Sequence, residues 1–425
     1  MSSSRGRRGF DGTHIHYGWV VAVAAIVLSF FAQAATSPSG QYVASITAEL
    51  GFSRGAYMVT SSVNAIVHVL FSLVYGTISK KISAKKLIAL AMGLLASTLI
   101  INSFAQDLWV FYLTSAMLGT ALAIGVSVTM AIIIRNWFAY KQGTLIGILL
   151  AAGSAGGAIF TQVAVRIAGT YGWRVSYRCS AALLIFIALP CLLLIKEKPE
   201  DKGLEPYGIE HIRGVNIQKG SGIASDGLGF LEAMKMPRFW LGAAGFFLLG
   251  SCAHPILGNL PAYVTDSGFN PTYAGLASGL CLISAAAYKL ILGGVYDRFG
   301  IAPVIVTCFA GSAVSSLLFA GALSEVTIIA VPLIFGASLC GVTMVPLLYV
   351  ATAFGQKEYA SFSGIFMALI PAGSAIGNPV LGAVYDRFGS YRPALFVMAG
   401  LATIALFFVL VSLKGRRFVQ PAKAH

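Results

Sequence analysis

Twelve apolar runs, each about 20 residues long, fill this chain from residue 17 to residue 413. A helix of that length crosses the hydrocarbon core of a bilayer. Lipid offers no hydrogen-bond partner to a backbone N–H or C=O, so each run reads as an α-helix that satisfies its own backbone. The runs are 17–47, 54–79, 87–105, 108–134, 143–168, 175–195, 238–265, 272–296, 301–323, 326–353, 359–385 and 391–413, called spans 1 to 12 below. Only 10% of the 425 residues are charged and 57% are hydrophobic, which excludes a soluble globular chain. The first run follows Arg5, Arg7 and Arg8 and contains Ala32-Gln33-Ala34, features of a cleavable leader. Eleven further spans need it as a packing partner, so it reads as a permanent span.

The formal charge of +14 would suggest nucleic acid in a soluble protein, but its distribution points elsewhere. With residue 1 on the cytoplasmic side, 22 Lys and Arg residues fall in cytoplasmic segments and 6 outside. That asymmetry orients the chain with both termini in the cytoplasm, as expected of a multi-pass plasma (inner) membrane protein. No nucleic-acid partner is implied. The six cysteines lie inside spans without CxxC spacing, so neither a disulfide framework nor a metal site is expected. No cofactor is expected either.

One cation breaks the pattern. Lys289 sits in an otherwise uncharged stretch, Ala274 to Tyr296, about 12 Å inside the membrane boundary counted back from Asp297. A charge at that depth costs several kcal/mol and usually faces a wet cavity or a partner. No Asp or Glu lies at a comparable depth, so an arriving anion is the expected counter-ion. One ammonium suits a small monocarboxylate better than a dicarboxylate. Ala285, Ala286 and Gly293 on the same face are expected to leave open space, and the neighbouring Tyr288 reads as a further substrate contact. The plain alternative is a lysine snorkelling to the cytoplasmic interface.

Span 1 ends in a polar stretch with Gln33, Ser37 and Pro38, and span 7 carries His254-Pro255 and Asn259. Paired breaks in two halves of a transporter point to its binding site. Both spans are therefore expected to be interrupted, with Pro38 and Pro255 serving conformational change. Span 2 aligns Ser61, Asn64 and His68 on one face, with Tyr75 about two turns on. These either meet the solute or form a polar seam against a neighbouring helix. Gln33, Ser37, Asn64, His68 and His254 complete the candidate substrate contacts.

The chain also repeats itself. Gly125-Val-Ser-Val-Thr-Met in span 4 matches Gly341-Val-Thr-Met in span 10, and Ala152-Gly-Ser-Ala155 in span 5 matches Ala372-Gly-Ser-Ala375 in span 11. Spans 1–6 and 7–12 thus read as two related halves. The expected layout is a tail at 1–16, a six-helix bundle at 17–195, a polar linker at 196–237, a second bundle at 238–413 and a tail at 414–425.

Arg135-Asn-Trp-Phe138, Lys141-Gln-Gly143 and Gly294-Val-Tyr-Asp297-Arg298-Phe-Gly300 resemble motifs of the major facilitator superfamily, and within it of the monocarboxylate and oxalate–formate transporter branch. The resemblance covers nearly the whole chain. It implies an all-α membrane protein of twelve transmembrane helices in two pseudo-symmetric six-helix bundles. It also implies a basic residue in span 8 that holds the substrate carboxylate, where Lys289 stands. The first-half copy of the turn, Gly76-Thr-Ile-Ser-Lys80-Lys81, lacks the Asp. Ala285 stands where proton-coupled relatives carry an acid. Asp297, Arg298 and Arg135 are expected to latch helix ends during gating.

The function expected is a monomeric carrier of a small monocarboxylate, rocking about a midplane site. A carboxylate arriving beside a desolvated lysine favours the charged amine, so anion and proton would enter together. An organic-anion exchanger shares every feature but the proton. A channel would need rings of charge, and an enzyme a catalytic constellation that these spans do not contain.

Overall fold

Helix ends in this protein are set by local chemistry. Ser53 opens span 2 by accepting a hydrogen bond from the N–H of Ala56 at 3.2 Å. Gly172, at φ 88°, turns the chain between spans 5 and 6, and Gly300, at φ 80°, does so between spans 8 and 9. The computed structural model describes residues 16–37, 42–209, 228–321 and 324–414. Pro38, the tail at 1–15 and linker residues 210–227 lie outside the described residues.

All twelve spans form helices long and apolar enough to cross a membrane. They run Tyr17–Thr36, Arg54–Lys81, Ala84–Phe104, Leu108–Trp137, Gln142–Tyr171, Trp173–Leu194, Pro237–Asp266, Pro271–Phe299, Ile301–Ala320, Glu325–Thr343 with its continuation Val345–Phe354, Tyr359–Phe388 and Arg392–Leu413. Their outer faces are as apolar as their inner ones. Phe186, Leu189 and Leu193 of span 6 are each more than 60% exposed in the isolated protein, as lipid-facing side chains should be.

The packing obeys the internal repeat. Span 1 lies on span 5, span 2 on span 4 and span 3 on span 6; span 7 lies on span 11, span 8 on span 10 and span 9 on span 12. Between the halves, span 5 meets span 8 and span 11 meets span 2, two contacts related by the same pseudo-symmetry. These four helices have 28 to 30 residues, against 20 to 22 for spans 3, 6, 9 and 12. The helices that join the bundles therefore outreach the hydrocarbon core and meet beyond it.

One of the two expected interruptions is found and the other is corrected. Span 1 breaks in its polar stretch: its helix stops at Thr36, and a separate short helix, Val43–Leu50, follows. Span 7 continues as one helix from Pro237 to Asp266, straight through Pro255. The side-chain N–H of Asn259 donates to the carbonyl of Pro255 at 2.9 Å, while the Ser251 carbonyl, left without a helix partner because Pro255 has no N–H, faces Gly377 of span 11 together with the Pro255 ring. The paired interruptions fall instead in spans 4 and 10. A π-helical turn covers Leu122–Val126, and the second helix of span 10 restarts after Met344. Both places coincide with the repeated Gly-Val-(Ser-Val-)Thr-Met motif. The Thr129 hydroxyl donates to the Ile124 carbonyl at the π turn and pairs with the Tyr75 hydroxyl at 2.8 Å.

The linker enters docked to the first bundle. Trp137 donates its indole N–H to the Lys196 carbonyl at 2.8 Å, and Asn136 reaches Glu197 O at 3.2 Å. Tyr207 pairs its backbone with Trp137 and Ala139. The end of the bundles where the linker crosses is called the linker end below, and its opposite the far end.

Candidate functional site

Helical geometry decides where the amine of Lys289 points. A Cα–Cβ bond tilts toward the N-terminus of its helix, and span 8 begins at the far end. The lysine carbonyl faces Gly147 of span 5. Its Nζ reaches further toward the far end, donating to the Ser154 hydroxyl at 2.6 Å and approaching the Leu150 carbonyl at 3.5 Å. The side chain therefore leans away from the linker end, which removes the snorkelling alternative. Lys289 is 5% exposed, and none of the ion pairs among the described residues includes it.

The open space expected beside Lys289 is not found on the side of Gly293. A β-carbon on Gly147 would run into the Lys289 carbonyl, and one on Gly293 would lie 2.6 Å from the carbonyl of Gly143. These glycines bring spans 5 and 8 into backbone contact across the bundle interface. Small residues here serve close approach rather than a cavity.

One turn pair below, Asp297 ties the same two helices. Its Oδ1 accepts from the N–H of Gly143 at 2.8 Å. Its Oδ2 accepts from the N–H and hydroxyl of Thr144 at 2.7 and 2.6 Å. The acid thus caps the N-terminus of a helix in the other bundle, where exposed N–H groups and the helix dipole both favour a negative charge. Arg298 takes no part: it is exposed, and among the described residues no hydrogen bond or ion pair involves its side chain. Across the pseudo-symmetry axis, Lys80 at the end of span 2 pairs with Glu358 at the start of span 11 at 3.2 Å. The half that lacks the Asp has an ion pair in its place.

The other candidates fall into two groups. Gln33 packs its side chain on Gly153 of span 5, and its Oε1 accepts from the Thr36 hydroxyl at 3.3 Å. Ser37 packs on Gly157, one turn further along span 5. Ser37 and Asn64 also line a cleft of about 340 Å³ inside the first bundle, with Tyr57, Thr60 and Asn102. No charged side chain lines that cleft, and Lys289, His68 and His254 stand outside it. Asn64 donates to the Ser115 carbonyl at 3.4 Å, and Tyr75 bonds Thr129, so span 2 uses these groups as a seam against span 4. His68 and His254 lie within charge-interaction range of one another across the two bundles. Tyr288 is half-buried against the apolar core.

Arg135 occupies an unusual place. Its guanidinium lies over the ring of Tyr359 of span 11, 4.4 Å from the centroid, and its buried Nε has no hydrogen-bond partner. Arg135 stands in the last turn of span 4, at the linker end, so it is not a second cation in the membrane interior. Sequence reasoning alone does not single out Ser154, although the repeated Ala-Gly-Ser-Ala motif displays it. What concealed Ser154 is that its partner lies 135 residues away. Among the described residues no group of three His, Cys, Asp or Glu side chains could hold a metal.

The Major Facilitator Superfamily model matches residues 21–353 and 256–424. A protein of Pseudomonas putida named for metabolite transport, NicT, is 25% identical over 397 residues, covering 85% of each chain. The 2-nitroimidazole transporter of Escherichia coli is 23% identical, covering 84% of this chain and 88% of its own. A protein of Agrobacterium vitis named for tartrate transport is 22% identical, covering 85% and 83%. The solved structure of the proton:xylose symporter XylE superposes with a TM-score of 0.74 at 12% identity, covering 93% of this chain and 96% of that one. These relatives differ widely in the solutes they are named for and do not single out the monocarboxylate branch.

Proposed function

The chain belongs to the major facilitator superfamily, and from that premise we propose that this secondary transporter carries a small monocarboxylate together with a proton. The observation that carries the reading is the Lys289 amine, buried in the membrane interior and, among the described residues, held by a hydroxyl and a carbonyl and met by no acid. An arriving carboxylate supplies the missing charge. Ser154, 2.6 Å from the amine, stands close enough to orient its second oxygen, and the apolar surroundings accommodate a short carbon chain. The tartrate relative is named for a carboxylate and the nitroimidazole relative is not, so the substrate class rests on Lys289 rather than on kinship.

The two bundles rock about this site in turn, exposing it to either face. The close contacts at Gly143–Asp297, Gly147–Lys289 and Lys80–Glu358 belong to a state shut at the linker end. The surplus of Lys and Arg supports a cytoplasmic position for that end, with the protein in the plasma (inner) membrane as part of the same reading. Protonated Lys289 accepts the anion, and the neutral pair crosses together. The unloaded lysine returns as the neutral amine.

The test is uptake of radiolabelled lactate or acetate into proteoliposomes under an inward proton gradient. Acceleration by the gradient is expected. An unchanged rate rules out symport, and acceleration by internal anion instead assigns exchange.

A further inference from the structure

Arg135 closes span 4 at the linker end, and among the described residues no ion pair includes it. Asp297, at the linker end of span 8, has both oxygens committed to Gly143 and Thr144. The guanidinium lies over the face of Tyr359, and its buried Nε–H has no acceptor among the described residues. A buried donor left unmade is costly, so a group that served only to clamp the two bundles would not be expected to carry one. Tyr296 lies within charge-interaction range of Arg135 and shares a hydrogen bond of 3.2 Å with Thr352. Tyr296 follows Lys289 by two turns on the same face of span 8, a rise of about 10 Å. Span 8 thus leads from Lys289 in the membrane interior to Tyr296 near the linker end, where Arg135 stands at the end of span 4.

We propose that Arg135 is the release-side station for the transported anion. When the linker end opens, Tyr359 moves off with span 11 and uncovers the guanidinium. The carboxylate leaving Lys289 then docks on its paired N–H groups before entering solution, and an anion arriving from that side docks there first. This inference rests on the organic-anion reading above.

The two possible roles of Arg135 predict opposite signs. A mere clamp stabilises the closed linker end, so its loss populates the open state and improves apparent affinity at that face. A station binds the anion, so its loss weakens affinity at that face. Inside-out and right-side-out membrane vesicles are assayed with radiolabelled acetate, lactate, pyruvate and tartrate, using wild type, Lys289→Gln, Arg135→Gln, Arg135→Lys and Tyr359→Leu. For a probe that moves only when Lys289 is present, Arg135→Gln should raise KM at the linker face by about tenfold or more. KM at the far face should change by less than about twofold, and Arg135→Lys should recover part of the loss. Tyr359→Leu, which removes the cover but keeps the guanidinium, should lower KM at the linker face. If Arg135→Gln and Tyr359→Leu shift KM in the same direction, Arg135 is only a clamp and the inference is overturned. If Arg135→Gln fails to fold, Tyr359→Leu and Arg135→Lys decide alone: an unchanged or raised linker-face KM in Tyr359→Leu overturns it. If none of the four probes moves in a Lys289-dependent way, the underlying reading falls, and this one with it.

Discussion

Asp297 at the end of span 8 caps span 5 through Thr144, accepting both its backbone N–H and its hydroxyl, although the two residues are 153 positions apart and belong to different bundles. A helix cap normally holds its own helix. Here it holds two bundles together, and it can be broken only when they separate at the linker end.

Asp297→Ala should therefore loosen one conformational state rather than the fold. An anionic cap is worth about 1–2 kcal/mol, which corresponds to a shift of roughly fivefold to thirtyfold toward the open linker end. Hydrogen exchange of residues 143–150 should quicken while exchange in spans 3 and 9 stays unchanged. A uniform increase throughout the molecule would instead mark a purely structural role.

The Lys80–Glu358 pair makes a prediction about pH. Burial alone would raise the Glu358 carboxyl, but the Lys80 ammonium and the hydrogen bonds from Lys80, Phe230 and Ser361 outweigh it and hold the group below the ordinary carboxylate value of 4.5. A depressed folded value means that the contribution is fully present above that ordinary value and is lost as pH falls through the folded one. Between about pH 6 and pH 8 the pair is constant, so Glu358→Gln should leave the shape of the transport pH profile unaltered there. Lys80 is 64% exposed, which limits the pair to at most about 1 kcal/mol in a double-mutant cycle. A changed profile near neutrality would show that Glu358 titrates where this geometry says it does not.

Lys289→Met separates function from stability. The substitution removes a buried charge without an acid partner, so the protein should unfold at an equal or higher temperature, with a gain of up to about 3 kcal/mol. Transport should disappear. Thermal unfolding in detergent and vesicle uptake check the two halves; a strongly destabilised protein would mean that the amine is a structural tie.

Ser154→Ala leaves Lys289 in place and removes its closest neighbour, 2.6 Å away. If Ser154 orients the amine and the bound carboxylate, KM should rise by about tenfold, the value of one charge-assisted hydrogen bond, with a smaller effect on the maximal rate. Uptake kinetics at saturating and limiting substrate distinguish this from a general loss of folded carrier.

Much of the molecule was legible in the chain as written. Twelve spans follow from apolar length alone, because a helix must satisfy its own backbone in lipid whatever surrounds it. Lys289 announced itself for the same reason: a charge stands out against an uncharged run without reference to any neighbour. The repeated motifs carried the pairing of the two halves as far as sequence can carry it.

Contacts between helices were another matter. Span 7 reads as broken at Pro255, yet it runs on, with Gly377 of span 11 packed against the turn that the proline loosens. Gly293 reads as open space and turned out to be a point of backbone contact. The Ser154 hydroxyl, the Asp297 cap and the ring of Tyr359 beneath Arg135 each lie more than 130 residues from the group they meet, or across the bundle interface. In water an amphipathic stripe would have shown which face of each helix turns inward. In lipid both faces are apolar, so the chain determined how many helices form and where the charge lies, while only packing decided what that charge touches.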